Sequence, residues 1–179
     1  MFRMRVHFIA IGGSRIGIAG SYGKTAIAAM IMHVLRKQGI KFDYVVGSET
    51  DGFENIAVLN SIVRDHMNVF PTFENYIEQF RIFTEKISSG GSLIYFDGDV
   101  EAKKIALASQ DNIRKIPFKV HGYFQNKTGF YAATHNRVVP VKIFGEQNMQ
   151  NLSAAREVCI ETGIAEDDFY EAIKSFKGI

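Results

Sequence analysis

The sequence predicts an α/β fold: a mostly parallel sheet flanked by helices, followed by a small antiparallel β-meander. Three observations predict it. Short apolar runs alternate with helix-period segments up to about residue 110, the pattern of a parallel sheet covered by helices. Beyond that point strand-like runs are separated by turn chemistry, and two helical segments close the chain. At 179 residues, 46% hydrophobic and 22% charged, the chain has the size and composition of one globular domain with a real core.

The elements follow in order. "VHFIAI" (Val6 to Ile11) reads as a buried strand closed by Gly12 and Gly13, and "RIGIAG" (Arg15 to Gly20) as a second, unusually close behind the first. Ile27, Met30, Ile31, Val34 and Leu35 recur at helical spacing from Lys24 until Gly39 offers a stop. "YVVG" (Tyr44 to Gly47) and "IAVLNS" (Ile56 to Ser61) read as further buried strands. Phe73, Tyr76, Ile77, Phe80, Phe83 and Ile87 predict one face of a helix starting near Pro71 and Thr72. "LIYFDGD" (Leu93 to Asp99) is the next strand and "VEAKKIALAS" the next helix. Lys119 to Phe124, Phe130 to Thr134 and Val138 to Phe144 form the meander, with "QNKTG" and "HNR" as its turns. In the helix after it, Leu152, Ala155, Val158 and Cys159 share a face, which makes Cys159 a core residue rather than a nucleophile.

Composition excludes several functions. Twenty-one basic against 19 acidic residues leave a net charge of +2, too even for a nucleic-acid surface or a polybasic membrane anchor. A single cysteine cannot close an internal disulfide, and no run reaches the ~18 apolar residues of a membrane span. The basic, apolar start ends in Gly12-Gly13 without a signal-peptidase pattern, so a soluble cytoplasmic protein is expected.

The glycine turn "GSYGKTA" carries the first chemistry. A phosphate loop needs glycines that let backbone N–H groups approach the anion, a lysine for the β and γ phosphates, a hydroxyl for Mg²⁺ and a helix N-terminus behind them. Gly20, Gly23, Lys24 and Thr25 supply these between a strand and a helix, so the sheet is expected to be of P-loop type. A full Walker A pattern would have glycine where Ile18 stands. "LNSIVRDHMNVFP" puts Asn60 at a strand end with Asp65 and His66 just beyond it, where open α/β sheets collect ligands. Asn148 and Asn151 stand three apart at a helix start in "GEQNMQNLSAA", where asparagines commonly act as caps.

Together these stretches resemble the Mur ligases of peptidoglycan synthesis. "GSYGKTA" looks like the family's G-T-x-G-K-T-[ST] loop, "NSIVRDHMNVF" like its N-x-x-x-D-H-x-[DN] motif, and "GEQNMQNLSAA" like its G-x-H-N-x-x-N-x-x-A-A motif. "VHFIAIGGS" further resembles the opening of the N-terminal UDP-binding domain in the branch that handles UDP-N-acetylmuramate, and the stretch from Asp65 to Phe83 looks most like the recycling member of that branch. The resemblance implies that residues 1–179 are one central, ATP-binding domain, with 1–13 a remnant strand of the N-terminal domain. It also implies a shortened chain that by itself makes no amide bond.

What the resemblance implies for chemistry is an ATP-dependent amide-bond ligase acting through an acyl phosphate. Its substrates would be UDP-N-acetylmuramate and an amino acid or peptide. Gly20, Ser21, Tyr22, Gly23, Lys24, Thr25 and Ala26 would cradle the phosphates, with Asn60 beside them and Asn148 and Asn151 at the adenine end. Lys24 and His66 would act in catalysis. Thr25, Glu49 and His66 would ligate Mg²⁺, or Mn²⁺. Glu49, in "SETDGF", stands for the family's acidic motif, and Gln147 replaces its usual histidine. The alternative is an ATP-binding module without ligase activity. A P-loop kinase or GTPase would leave the Asp-His and asparagine stretches unexplained and lacks an N-K-x-D motif.

Overall fold

The apolar residues of the strands sort into two alternating sets, one for each face of a sheet. The computed structural model describes residues 4–48, 54–63 and 70–178. Its strands are β1 (Val6–Ile11), β2 (Ser14–Ala19), β3 (Asp43–Ser48), β4 (Glu54–Leu59), β5 (Ile87–Phe96), β6 (Arg114–Phe118), β7 (Tyr123–Asn126), β8 (Gly129–Ala133) and β9 (Val138–Val141). Its helices are α1 (Lys24–Lys37), α2 (Phe73–Glu85), α3 (Val100–Ala108), α4 (Glu146–Glu161) and α5 (Glu166–Ile173). The main sheet runs β3-β1-β2-β4-β5-β6; β2, β4, β5 and β6 are mutually parallel, and β1 is antiparallel to both of its neighbours.

Ile16, Ile18, Ile56, Val58 and Ile94 face α1, α4 and α5, while Ala19, Ala57, Leu59, Leu93 and Tyr95 face α2 and α3. Each fully buried isoleucine or leucine contributes about 1.5–3 kcal/mol, so both helical layers are held to the sheet by its alternation. The antiparallel sheet β7-β8-β9 turns Phe130, Ala132, Val139 and Val141 toward the α1 and α4 side. Cys159 is completely buried there, as its helical spacing predicts.

The two strands close in sequence are a hairpin, pairing His7 with Ile18 through to Ile11 with Ser14. A two-residue turn that matches strand twist needs two positive φ angles, and Gly12 and Gly13 supply them at 53° and 97°. Helix α2 begins where expected: Thr72 caps it by accepting a hydrogen bond from the Asn75 N–H at 3.1 Å.

The structure corrects four expectations. Val45 and Val46 belong to a strand but are 52% and 63% exposed, because β3 is the sheet edge and a β-branched run reads alike at an edge or in a core. Ile87 opens β5 instead of closing α2, which makes that strand ten residues long. β6 is an additional parallel strand whose charges and Pro117 hide it from a pattern search; proline is tolerated because this strand is the other edge. Residues 119–122 are consequently a connection, and the meander begins at Tyr123.

Candidate functional site

In an open parallel sheet the carboxyl ends of the strands leave a crevice where ligands collect. Here β2 runs out into Gly20, β4 into Asn60, and the N-terminal half of α4 arrives above them. The loop Gly20 to Gly23 leads directly into α1, whose N-cap is Gly23 in a left-handed conformation, φ 83°. A Cβ at that position would lie 2.3 Å from Asn151 Oδ1 and 2.5 Å from Asn60 Nδ2, so only glycine fits.

Three separate sequence stretches therefore meet at one point. Asn60, completely buried, donates from Nδ2 to the Tyr22 carbonyl at 2.9 Å and to Asn151 Oδ1 at 3.3 Å. Its Oδ1 accepts from Gln150 Nε2 at 2.7 Å, and the same Gln150 amide donates to Ser61 Oγ, also at 2.7 Å. Ser21 turns inward: its Oγ accepts from the Val63 N–H at 3.0 Å and shares a hydrogen bond with the Tyr76 hydroxyl at 2.9 Å. Asp99, the N-cap of α3, accepts from both Ala102 N–H and Ile62 N–H at 2.9 Å and so anchors the segment leaving β4.

Lys24 folds back on the loop, donating from Nζ to the Gly20 carbonyl at 2.6 Å. Burial pushes its ammonium below the usual lysine value, so a neighbouring anion would relieve a desolvated charge. Thr25 is exposed and Ala26 half-buried on the first turn of α1. Because Gly23 has no side-chain oxygen and the first turn holds no acid, the N–H groups and dipole of α1 carry no side-chain counterpart. The other four helices each have an acid there.

Not every predicted residue joins this cluster. Asn148 donates from Nδ2 back to the Phe144 carbonyl at 2.8 Å, and Gly145, not an asparagine, caps α4. Glu49, Asp65 and His66 lie outside the described residues. Among the described residues no group of three or more His, Cys, Asp or Glu side chains could hold a metal ion. Gln150 is the residue that sequence reading misses. Its signal is context: it sits in a helix buried continuously from Met149 to Ala155, where a polar side chain must find partners.

A mostly parallel sheet covered by helices on both faces, with a small antiparallel sheet beside it, defines an α/β domain. The profile of the Mur ligase middle domain matches residues 48–159, and the chain belongs to that family. A UDP-N-acetylmuramoylalanine–D-glutamate ligase from Protochlamydia amoebophila is 25% identical over 92% of this chain and 44% of its own length. A UDP-N-acetylmuramate–L-alanine ligase from Mycobacterium leprae is 23% identical over 94% of this chain and 43% of its own. The crystal structure of a murein peptide ligase from Psychrobacter arcticus superposes with a TM-score of 0.66 at 14% identity, covering 92% of this chain and 47% of that one. The fold is thus shared, and the chain spans less than half the length of these curated relatives.

Proposed function

We propose that this chain binds ATP at the Gly20 to Ala26 loop and serves an ATP-dependent peptide ligase of peptidoglycan synthesis or recycling that acts on UDP-N-acetylmuramate. The observation that carries this reading is the convergence of Gly23, Asn60 and Asn151, drawn from three distant motif stretches, beside an uncapped helix N-terminus and a desolvated lysine. The chemistry of that set fits a polyphosphate, since the first-turn N–H groups of α1 have no side-chain cap and a lysine is held against the loop. The family and the absence of a membrane-crossing helix among the described residues support a cytoplasmic location.

In the reaction so read, a substrate carboxylate oxygen takes the γ-phosphoryl group of ATP, releasing ADP. The amine of an amino acid or peptide then displaces phosphate from the acyl phosphate to form the amide. Lys24 leaves the Gly20 carbonyl and follows the charge that builds on the transferring group, while the first-turn N–H groups of α1 hold the neighbouring phosphate oxygens. Asn60 and Asn151 fix the loop, and Asn148, one turn nearer the start of α4, is the residue proposed for the adenine end. Mg²⁺ or Mn²⁺, when bound, neutralises phosphate charge, with Thr25, Glu49 and His66 as the proposed ligands.

Calorimetric titration with ATP and Mg²⁺ tests the site. Lys24→Ala is expected to weaken binding at least about tenfold, or ~1.4 kcal/mol. Its melting temperature should change little, because among the described residues the lysine's hydrogen bond is to its own loop. Equal affinity in both proteins removes the phosphate-loop reading. An ATP-binding module without ligase activity stays in view because the chain spans less than half of its relatives. ATP-dependent hydroxamate formation from hydroxylamine and a UDP-muramyl acceptor separates the two readings.

A further inference from the structure

β1 brings a histidine to the loop that the motif stretches do not account for. His7 pairs with Ile18, two residues before Gly20, and like Ile9 it points to the α1 face of the sheet. The residue is only 6% exposed. Its Nδ1 lies 2.8 Å from the Tyr44 hydroxyl of β3, and its Nε2 has no hydrogen-bond partner among the described residues. Lys24 is near enough for its charge to act on the ring. Burial first, and that charge second, push the His7 pKa down, so the ring is neutral at physiological pH. Burial also pushes the Tyr44 phenol up, so its proton is available.

A buried imidazole nitrogen without a partner costs free energy comparable to a lost hydrogen bond, which makes an unfilled Nε2 beside the phosphate loop informative. If the Tyr44 hydroxyl donates to Nδ1, the ring proton sits on Nε2, and Nε2–H and the Lys24 ammonium are two donors near one another. Two donors cannot satisfy each other; an acceptor must come between them.

We propose that His7 is a further phosphate-binding residue of this site, donating from Nε2 to a terminal polyphosphate oxygen alongside Lys24, with Tyr44 as the positioning residue that fixes its tautomer. The inference rests on the phosphate-loop reading and adds to it a residue from outside the three motif stretches. It also gives the β1–β2 hairpin a function: it carries a donor to the phosphate end of the neighbouring strand.

The test uses the purified chain, with ATP and with inorganic tripolyphosphate as the probe that removes the nucleoside. His7→Leu is expected to weaken tripolyphosphate about tenfold to a hundredfold, the effect of one hydrogen bond to a charged oxygen. His7→Gln, whose amide nitrogen can stand where Nε2 stands, is expected to stay within about twofold of wild type, and Tyr44→Phe to fall between. Because His7→Leu alters a buried position, ¹⁵N spectra of the wild-type ring provide a second reading. The ring should already be the Nε2–H tautomer in the free chain, and saturating tripolyphosphate should move its Nε2 and Nε2–H signals without changing that tautomer. If those signals do not move while Lys24→Ala loses affinity, the assignment of His7 is wrong and the loop reading stands. If Lys24→Ala binds tripolyphosphate as wild type does, the loop reading fails and His7 with it.

Discussion

Gly23 shows how one residue type can be demanded twice. Its φ of 83° is a conformation that L side chains avoid, and the space a Cβ would need is occupied by Asn151 and Asn60. Gly23→Ala is therefore expected to destabilise the chain by roughly 1–3 kcal/mol from backbone strain alone, with more from the displaced amides, and to weaken ATP binding as the loop shifts. Thermal unfolding followed by circular dichroism checks this; an unchanged melting temperature would show that loop and amides yield freely. The glycine, the lysine and Asn60 are legible in the sequence because each sits at a punctuation point between elements. Gln150 and the inward turn of Ser21 are not, since a side chain's direction depends on which elements pack together. Cys159 was legible for the opposite reason: apolar periodicity alone predicts its burial, which raises its thiol pKa to about 12 and leaves it inert.

Among the elements, α4 links the layers. It packs against α1, β4, β5 and β6, and through Gln150 and Asn151 it holds the end of β4 against the loop. Gln150→Leu keeps the volume but leaves Asn60 Oδ1 without that donor, so a loss of about 1–3 kcal/mol is expected from an unsatisfied buried acceptor. Denaturant unfolding should show a lower midpoint at unchanged slope, and amide exchange should quicken at Tyr22 and Gly23 more than in α5. Uniform quickening across the chain would mean that Gln150 merely fills the core. The periodicity of α1 and α2 makes those helices readable, because one apolar stripe meets one sheet face. β6 and the exposure of β3 were hidden because edge strands answer to solvent on one side, so charge, proline and valine are all permitted there.

For the whole molecule, the sheet divides the chain into two apolar layers, and the alternation of isoleucine and valine with alanine and leucine along β2 and β4 already announces both. What alternation cannot announce is which polar groups the layers enclose. His7 and His121 are two of them: His121 is held between the Gly122 carbonyl at 2.8 Å and the Tyr170 hydroxyl at 2.7 Å. Burial pushes both rings below their ordinary value of 6.5; for His121 the Gly122 carbonyl and Glu166 oppose that shift, and Arg156 adds to it. The unfolded chain therefore takes up protons near pH 6.5 while the folded chain does not. Stability is fully present above that pH and is lost as pH falls through it toward the folded-state values, each histidine contributing at most about 1.4 kcal/mol per pH unit. Asp97 and Glu171, whose carboxyls are lowered by Lys103 and Lys174, act only at more acid pH, below ordinary values of 3.8 and 4.5. Glu157, raised by burial from 4.5, acts with the opposite sign above that value, so the histidine effect is cleanest between pH 7.5 and 6. Melting temperature should fall across that interval, and His121→Gln should flatten part of the slope while lowering the plateau at pH 7.5. A wild-type melting temperature that stays level or rises toward pH 6 would mean that the folded chain accepts those protons as readily as the unfolded one.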